Sequence, residues 1–215
     1  MKIAVIGATG FVGSHIVNEL ANRNYDVLGI SRKPKTSDRE NVTYIASDIF
    51  EVNELANILK GCDVVVSAYN SGWSNPNIYE EFIKGSQSIQ QAVKLAGVNR
   101  YIVIGGAGSL YTANGVQIVD TESFPEQFYP GASAARDYLN ILKKEKHLDW
   151  TFFCPAIEMN AGVTTGRTGK YRLGTDHPVM NEAGRSILSV EDLAVVIADE
   201  IESPKHHQTR FTAAY

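Results

Sequence analysis

The stretch "IAVIGATGFVG", from Ile3 to Gly13, decides how the rest of the chain is read. An unbroken apolar run stops at Gly7, and Gly10 and Gly13 follow at three-residue spacing. Such a run suits a strand buried on both faces. In the following "FVGSHIVNELANRN", Val12, Ile16, Leu20 and Ala21 share one helical face. Between a strand and a helix each glycine has a physical task. Gly7 permits the tight turn, Gly10 lets a phosphate approach the backbone, and Gly13 lets helix and strand pack closely. Free N–H groups and the helix dipole then favour an anionic pyrophosphate. The spacing is G-x-x-G-x-x-G, with Ala8 where the commoner G-x-G-x-x-G pattern carries its first glycine. The competing reading is a turn that packs tightly and binds nothing.

Outward from this turn, short β-rich runs alternate with helical patterns. Strands are expected at "YDVLGISR" (Tyr25–Arg32), "NVTYIASD" (Asn41–Asp48), "DVVVSAY" (Asp63–Tyr69), "RYIVIGG" (Arg100–Gly106) and "WTFFCPA" (Trp150–Ala156). Helices are expected around Asn53–Leu59, Tyr79–Ala96 and Ser133–Lys146. This alternation predicts right-handed crossovers and an α/β fold, a Rossmann-like doubly wound parallel sheet. No repeat or linker interrupts it, so residues 1–215 are expected to form one NAD(P)-binding domain. Roughly residues 156–190 are expected to add a small cap on the substrate side. There "TGRTGKYRLG" (Thr165–Gly174) reads as a turn or hairpin. "SVEDLAVVIADEIES" reads as a helix capped by Ser189, with Glu191 and Asp192 at its positive end. "QTRFTAAY" reads as a closing strand.

The chain has 215 residues, 44% hydrophobic and 20% charged, with a formal net charge of -4 and no block of like charge. That composition supports a full core and offers no basic footprint for nucleic acid or a membrane surface. No apolar stretch approaches the roughly 18 residues of a membrane span. Lys2 and the short apolar run before Gly7 fall short of a secretory core. Cys62 and Cys154, each beside a strand-like run, read as buried free thiols, and a cytoplasmic location is expected.

About twenty residues past the glycines, where an NAD site carries an acid for the ribose 2′-hydroxyl, stands "SRK" (Ser31, Arg32, Lys33). A cation and a hydroxyl suit a 2′-phosphate, which favours NADP, with NAD as the alternative. The competing reading is a solvated basic turn ahead of Pro34. Asp48 is placed either to meet the adenine or to cap a helix.

Together "GATGFVGSHIV", "ASDIF", "DVVVSA" and "AGVNRYIVIGGAGSL" resemble the atypical short-chain dehydrogenase/reductases. The nearest branch is that of the NADH-flavin reductases, related to biliverdin reductase B and the NmrA-like proteins. "VDTESFPEQFYPGA", "HLDWTFFCPA", "TGKYRLG", "ILSVEDLA" and "RFTAAY" extend the resemblance over essentially the whole chain. It implies a cofactor site at Gly7, Thr9, Gly10, Phe11, Val12, Gly13 and Arg32. Asp48 with Ile49, Ser67 with Ala68, and Pro155 match segments that line the cofactor in that family.

The larger superfamily pairs a Tyr with a Lys four residues on, which lowers the phenol pKa for proton transfer. Here Tyr129 is followed by Ser133, and the nearest cation is Arg136. Tyr129 is therefore a candidate acid/base set against a loop aromatic beside Pro130. Tyr111 is no better. Ser109 follows the fifth strand, where the superfamily keeps a catalytic hydroxyl, and is expected to point toward the nicotinamide; a capping hydroxyl is the alternative. Without a Tyr–Lys pair, hydride transfer to a flat acceptor fits better than alcohol chemistry, because stacking and distance dominate it. Trp73, Tyr69, Phe128 and Tyr129 are candidates for a flat aromatic pocket. His15, His147, His177, His206 and His207 lack metal spacing, so no metal site is expected. Asp120 and Glu122 read as solvated loop acids.

The expectation is an NADPH-dependent reductase passing hydride to FMN, FAD or a quinone-like acceptor, with flavin as substrate rather than bound cofactor. Two alternatives stand beside it: an NmrA-like NADP sensor without turnover, and a sugar-nucleotide epimerase or dehydratase. The short C-terminal region and the missing Lys argue against the second.

Overall fold

A computed structural model describes all residues, 1–215. One eight-stranded sheet runs through the molecule in the order β3-β2-β1-β4-β5-β6-β8-β7. Its strands are β1 (Lys2–Ile6), β2 (Asp26–Ser31), β3 (Val42–Ala46), β4 (Val64–Ser67), β5 (Arg100–Ile104), β6 (Asp149–Cys154), β7 (Arg172–Gly174) and β8 (Thr209–Ala214). All neighbours pair in parallel except β7, which runs antiparallel along β8 at the edge. The helices are α1 (Phe11–Asn22), α2 (Val52–Leu59), α3 (Ile78–Ala96), α4 (Tyr129–Leu142) and α5 (Val190–Glu202). No helix is long and apolar enough to cross a membrane.

Alternate strand residues feed two apolar layers. Ala4, Ile6, Val65, Tyr101, Val103, Phe152 and Cys154 face α2, α3 and α4, while Ile3, Val5, Val66, Ile102, Phe153 and Phe211 face α1 and α5. Burial on both faces explains why the central strands read as continuous apolar runs. The chain winds outward through β1, β2 and β3, then returns to β4 and winds the other way. The strand order therefore reverses between β1 and β4, and the crevice outside their carboxyl ends is where sheets of this kind take ligands.

Helices α1 and α5 lie side by side and point the same way. His15 Nε2 stands 3.9 Å from Glu191 Oε1 near their starts, and Arg23 Nη1 stands 2.7 Å from Asp199 and 2.9 Å from Glu202 near their ends. Arg167, from the segment between β6 and β7, reaches Glu19 at 2.8 and 2.9 Å, and its guanidinium holds that buried carboxyl below the usual range. Ser189 caps α5 as expected, its Oγ accepting from Asp192 N–H at 3.1 Å. Asp192 itself is turned inward. It accepts from the N–H groups of Thr168 and Gly169 at 2.9 and 2.7 Å and from the Tyr215 hydroxyl at 2.7 Å.

Two expectations need correction. Helix α4 covers Tyr129–Leu142 rather than Ser133–Lys146, because Pro130 occupies its first turn, where a missing N–H costs nothing. The "TGRTGKYRLG" stretch makes no hairpin of its own; its last residues form β7 and pair with β8, Leu173 opposite Ala213. Cys62 and Cys154 are buried and unpaired, and burial pushes the Cys154 thiol up to about 12.

Candidate functional site

The glycine turn leaves β1 and enters α1 directly. Gly7 has φ +79°, and a Cβ there would sit 2.6 Å from the Ala68 carbonyl oxygen at the end of β4. A side chain at this position would meet both a strained backbone and a filled space. On Gly13 a Cβ would sit 2.1 Å from the Gly7 carbonyl oxygen, so helix and turn are in backbone contact. Gly10 differs: a Cβ there would meet only that same oxygen, at 3.3 Å, and its outer side is open. The turn is fixed by Gly7 and Ala8 N–H groups on the Ile30 carbonyl, at 3.0 and 3.1 Å, and by Gly10 N–H on Gly7, at 2.9 Å.

Four N–H groups of the turn and first helical residues, those of Thr9, Phe11, Val12 and Gly13, find no acceptor in the protein. No side chain caps α1, and no acid stands in its first turn. Thr9, Gly10 and Phe11 are exposed. An anion placed here gains four donors and the positive end of a twelve-residue helix whose own first turn carries no acid. A pyrophosphate fits these residues.

Around the turn, the carboxyl ends of β2, β3 and β4 bring up the other expected residues. Ser31 is buried, and its hydroxyl folds back onto the Lys33 carbonyl at 2.8 Å, shaping its own loop. Arg32 is exposed and has no ion-pair or hydrogen-bond partner, which leaves the whole guanidinium free. Asp48 accepts from Phe50 N–H at 3.0 Å in a turn leading into α2, and Glu51 rather than Asp48 is the capping position. Ile49 lies buried beside it. Ser67 is buried at the end of β4, Ala68 half-buried against Gly7, and Pro155 buried just past β6.

Beyond β5 stand the two candidate catalytic hydroxyls. Ser109 is fully buried in a short 3-10 turn, Ala107–Ser109, and its Oγ has no hydrogen-bond partner. Its carbonyl accepts from Gln117 Nε2 at 3.0 Å and from Arg210 Nη1. Tyr129 is exposed at the start of α4 and packs edge-on to Phe124 at 6.5 Å. Ser133 Oγ donates to the Tyr129 carbonyl at 2.7 Å, so it does not serve the phenol. Arg136 is held by Asp120, at 3.0 and 2.8 Å, and by Asp137 at 2.5 Å.

The four aromatics divide. Trp73 and Phe128 meet edge to face at 5.5 Å, and the Trp73 ring lies over Gly131, where a Cβ would come within 2.7 Å of it. Both rings are largely exposed. Tyr69 turns the other way. It stacks on Phe82 at 6.0 Å and donates to the Glu81 carbonyl at 3.1 Å; burial, with the Glu81 charge beside it, pushes its phenol up to about 12. That phenol stays protonated at neutral pH and forms wall rather than acid.

Sequence reasoning missed Arg210. It begins the "RFTAAY" segment, which reads only as a closing strand, and its partners are 34 and 101 residues away.

Residues 7–204 match the NAD(P)H-binding family. The "Uncharacterized protein YwnB" of Bacillus subtilis (strain 168) is 32% identical over 214 residues, covering 99% of this chain and 97% of that protein. Among solved structures, the "putative epimerase" of Bacteroides thetaiotaomicron superposes with a TM-score of 0.91 at 45% identity, covering 100% of this chain and 96% of that one. The "putative NADH-flavin reductase" of Streptococcus pneumoniae TIGR4 superposes with a TM-score of 0.86 at 35% identity, covering 100% and 99%. With its glycine turn at the sheet's switch point and a match running through α5, the chain belongs to the NAD(P)H-binding family and carries the oxidoreductase-like Rossmann fold.

Proposed function

We propose that the protein is an NADPH-dependent reductase that delivers hydride to a flat conjugated acceptor, FMN, FAD or a quinone-like compound. The observation that carries this reading is the pairing of two features at neighbouring strand ends. Four unpartnered N–H groups follow β1, and a guanidinium with no internal partner follows β2. The first suits a diphosphate and the second a 2′-phosphate. Thr9, Gly10, Phe11, Val12 and Gly13 hold the diphosphate in this reading, with Gly7 shaping the turn. Ser31 shapes the loop that presents Arg32. Asp48 and Ile49 border the adenine, and Ser67, Ala68 and Pro155 border the path toward the nicotinamide. A bound nicotinamide supplies the hydride.

The acceptor half is built from Trp73 and Phe128, whose exposed rings stand nearly at right angles, so that one of them offers a face for stacking and the other an edge beside it. Residues 156–190 form the cap that keeps water off it. No cation stands free beside Tyr129: Ser133 is turned to the backbone and Arg136 is bound by two carboxylates. This supports a reaction in which position and stacking, rather than a placed proton donor, dominate. Ser109 and Tyr129 contribute contact at most. Free thiols such as Cys62 and Cys154 persist in a reducing cytoplasm, the compartment in which we place the protein.

The test is NADPH oxidation by the purified full chain with FMN, FAD and a quinone, each against a blank without protein. Acceptor-dependent turnover, faster with NADPH than with NADH, supports the reading. Tight NADP binding with no turnover across the panel replaces it with a dinucleotide sensor.

A further inference from the structure

A cation almost shut off from water lies where two loops of the acceptor side meet. Arg210 on β8 is 5% exposed and pairs in register with Phe152, on the sheet face that carries α4. Its Nη1 donates to the Ser109 carbonyl. Nε and Nη2 donate to Asp176 Oδ1 at 2.9 and 2.5 Å, and the guanidinium carbon stands 4.6 Å from the Tyr111 ring centroid. These partners come from two places: the loop after β5 and the segment between β7 and α5. The two are also joined directly. Tyr111 N–H donates to the Asp176 carbonyl at 2.8 Å, and His177 Nδ1 lies 3.0 Å from the Tyr111 carbonyl.

The ion pair has one dry end and one wet end, since the Asp176 side chain is 59% exposed. Arg210 is anchored in the middle of a paired strand and cannot follow a loop outward. Asp176 can leave, but its departure strands a buried charge on one carbonyl, which is strongly unfavourable. Ser109, whose hydroxyl is buried without a partner, lies behind the same contact.

We propose that Arg210 is a positioning residue for the acceptor: it holds the 176–177 segment of the cap against the 109–111 loop, so the acceptor half of the site is formed only while Asp176 rests on it. This rests on the reductase reading for the word acceptor, and on nothing but the local geometry for the lock itself.

Asp176→Ala in the full chain, loaded with NADP, separates the two parts. Removing this carboxylate leaves Arg210 with the Ser109 carbonyl alone, so thermal unfolding is measured first, and Asp176→Asn, which keeps an acceptor oxygen for the guanidinium, is run beside it. Amide exchange followed by mass spectrometry is expected to quicken tenfold or more in 107–118 and in 174–181 together. Quickening of 174–181 alone, or of neither, overturns the lock. In turnover assays the KM for FMN is expected to rise at least fivefold, while the NADPH Kd stays within twofold. An unmoved FMN KM with normal turnover overturns the positioning role. If the wild-type chain turns over no acceptor, the reductase reading falls, and the exchange result alone decides whether Arg210 ties the two loops.

Discussion

The Cα of Gly13 faces the Gly7 carbonyl so closely that a Cβ on Gly13 would stand 2.1 Å from that oxygen. Gly10, midway between them, meets the same oxygen at 3.3 Å and is otherwise open. Two glycines of one turn therefore respond differently to the same substitution. Gly13→Ala forces backbone apart and is expected to cost about 2 kcal/mol of stability, visible in thermal unfolding, along with dinucleotide binding. Gly10→Ala is expected to leave the melting temperature nearly unchanged and to weaken NADPH at least tenfold by calorimetry. Wild-type affinity in Gly10→Ala would remove the phosphate from this turn.

Arg32 has no partner to lose, so Arg32→Ala is expected to be neutral for stability. Losing a charge-assisted bond costs ~1.5–3 kcal/mol, so NADPH binding should weaken by about ten- to hundredfold. NADH binding should barely move. Equal losses for both cofactors would end the preference for NADP.

Tyr129→Phe tests the chemistry. Since Ser133 and Arg136 are both engaged elsewhere, the variant is expected to keep turnover with FMN within about threefold. Its pH profile should match the wild type. A collapse of kcat by several orders of magnitude would reinstate a placed proton donor and the alcohol or epimerase chemistry that needs one.

Trp73→Ala is expected to raise the acceptor KM severalfold, since one stacked ring contributes ~0.5–1.5 kcal/mol. Trp73 is more than half exposed, so the loss of its packing on Gly131 and Phe128 is expected to cost little stability, checked by thermal unfolding. NADPH affinity is the control and should not change.

Acid stability has a specific contributor far from the site. Burial alone would raise the Glu145 carboxyl; Lys94, the His147 N–H and Gln90 together more than offset this and hold it at about 2, below the ordinary 4.5. A carboxyl depressed by folding stabilises above its unfolded value and loses that contribution as pH falls through the folded one. Glu145→Gln is therefore expected to be less stable than wild type at neutral pH. The gap should narrow as pH falls from 4.5 toward 2, measured by denaturant unfolding.

The central sheet was legible because strands buried on both faces leave no alternative to continuous apolar runs, as "KIAVI" and "RYIVI" show. The glycine turn was legible because its backbone demands are local. Less local features escaped. Tyr129-Pro130-Gly131 resembles a loop unless proline is allowed in a first helical turn, and so α4 was placed four residues late. Aromatic residue types did not separate Trp73, which stays exposed beside Phe128, from Tyr69, which turns to Phe82. The Arg210–Asp176 contact joins residues 34 apart through the third dimension, and no periodicity encodes that.

The parallel pair α1 and α5 presents two positive poles on one side of the molecule, and the chain treats them unequally. At α5 the pole is neutralised from within by a carboxylate that also ties down Thr168, Gly169 and the C-terminal Tyr215. At α1 the helix supplies no acid in its first turn and no side-chain cap of its own. Of these two neighbouring helix starts, one is closed by the protein's own anion, and a charged guest arriving between them is directed to the other.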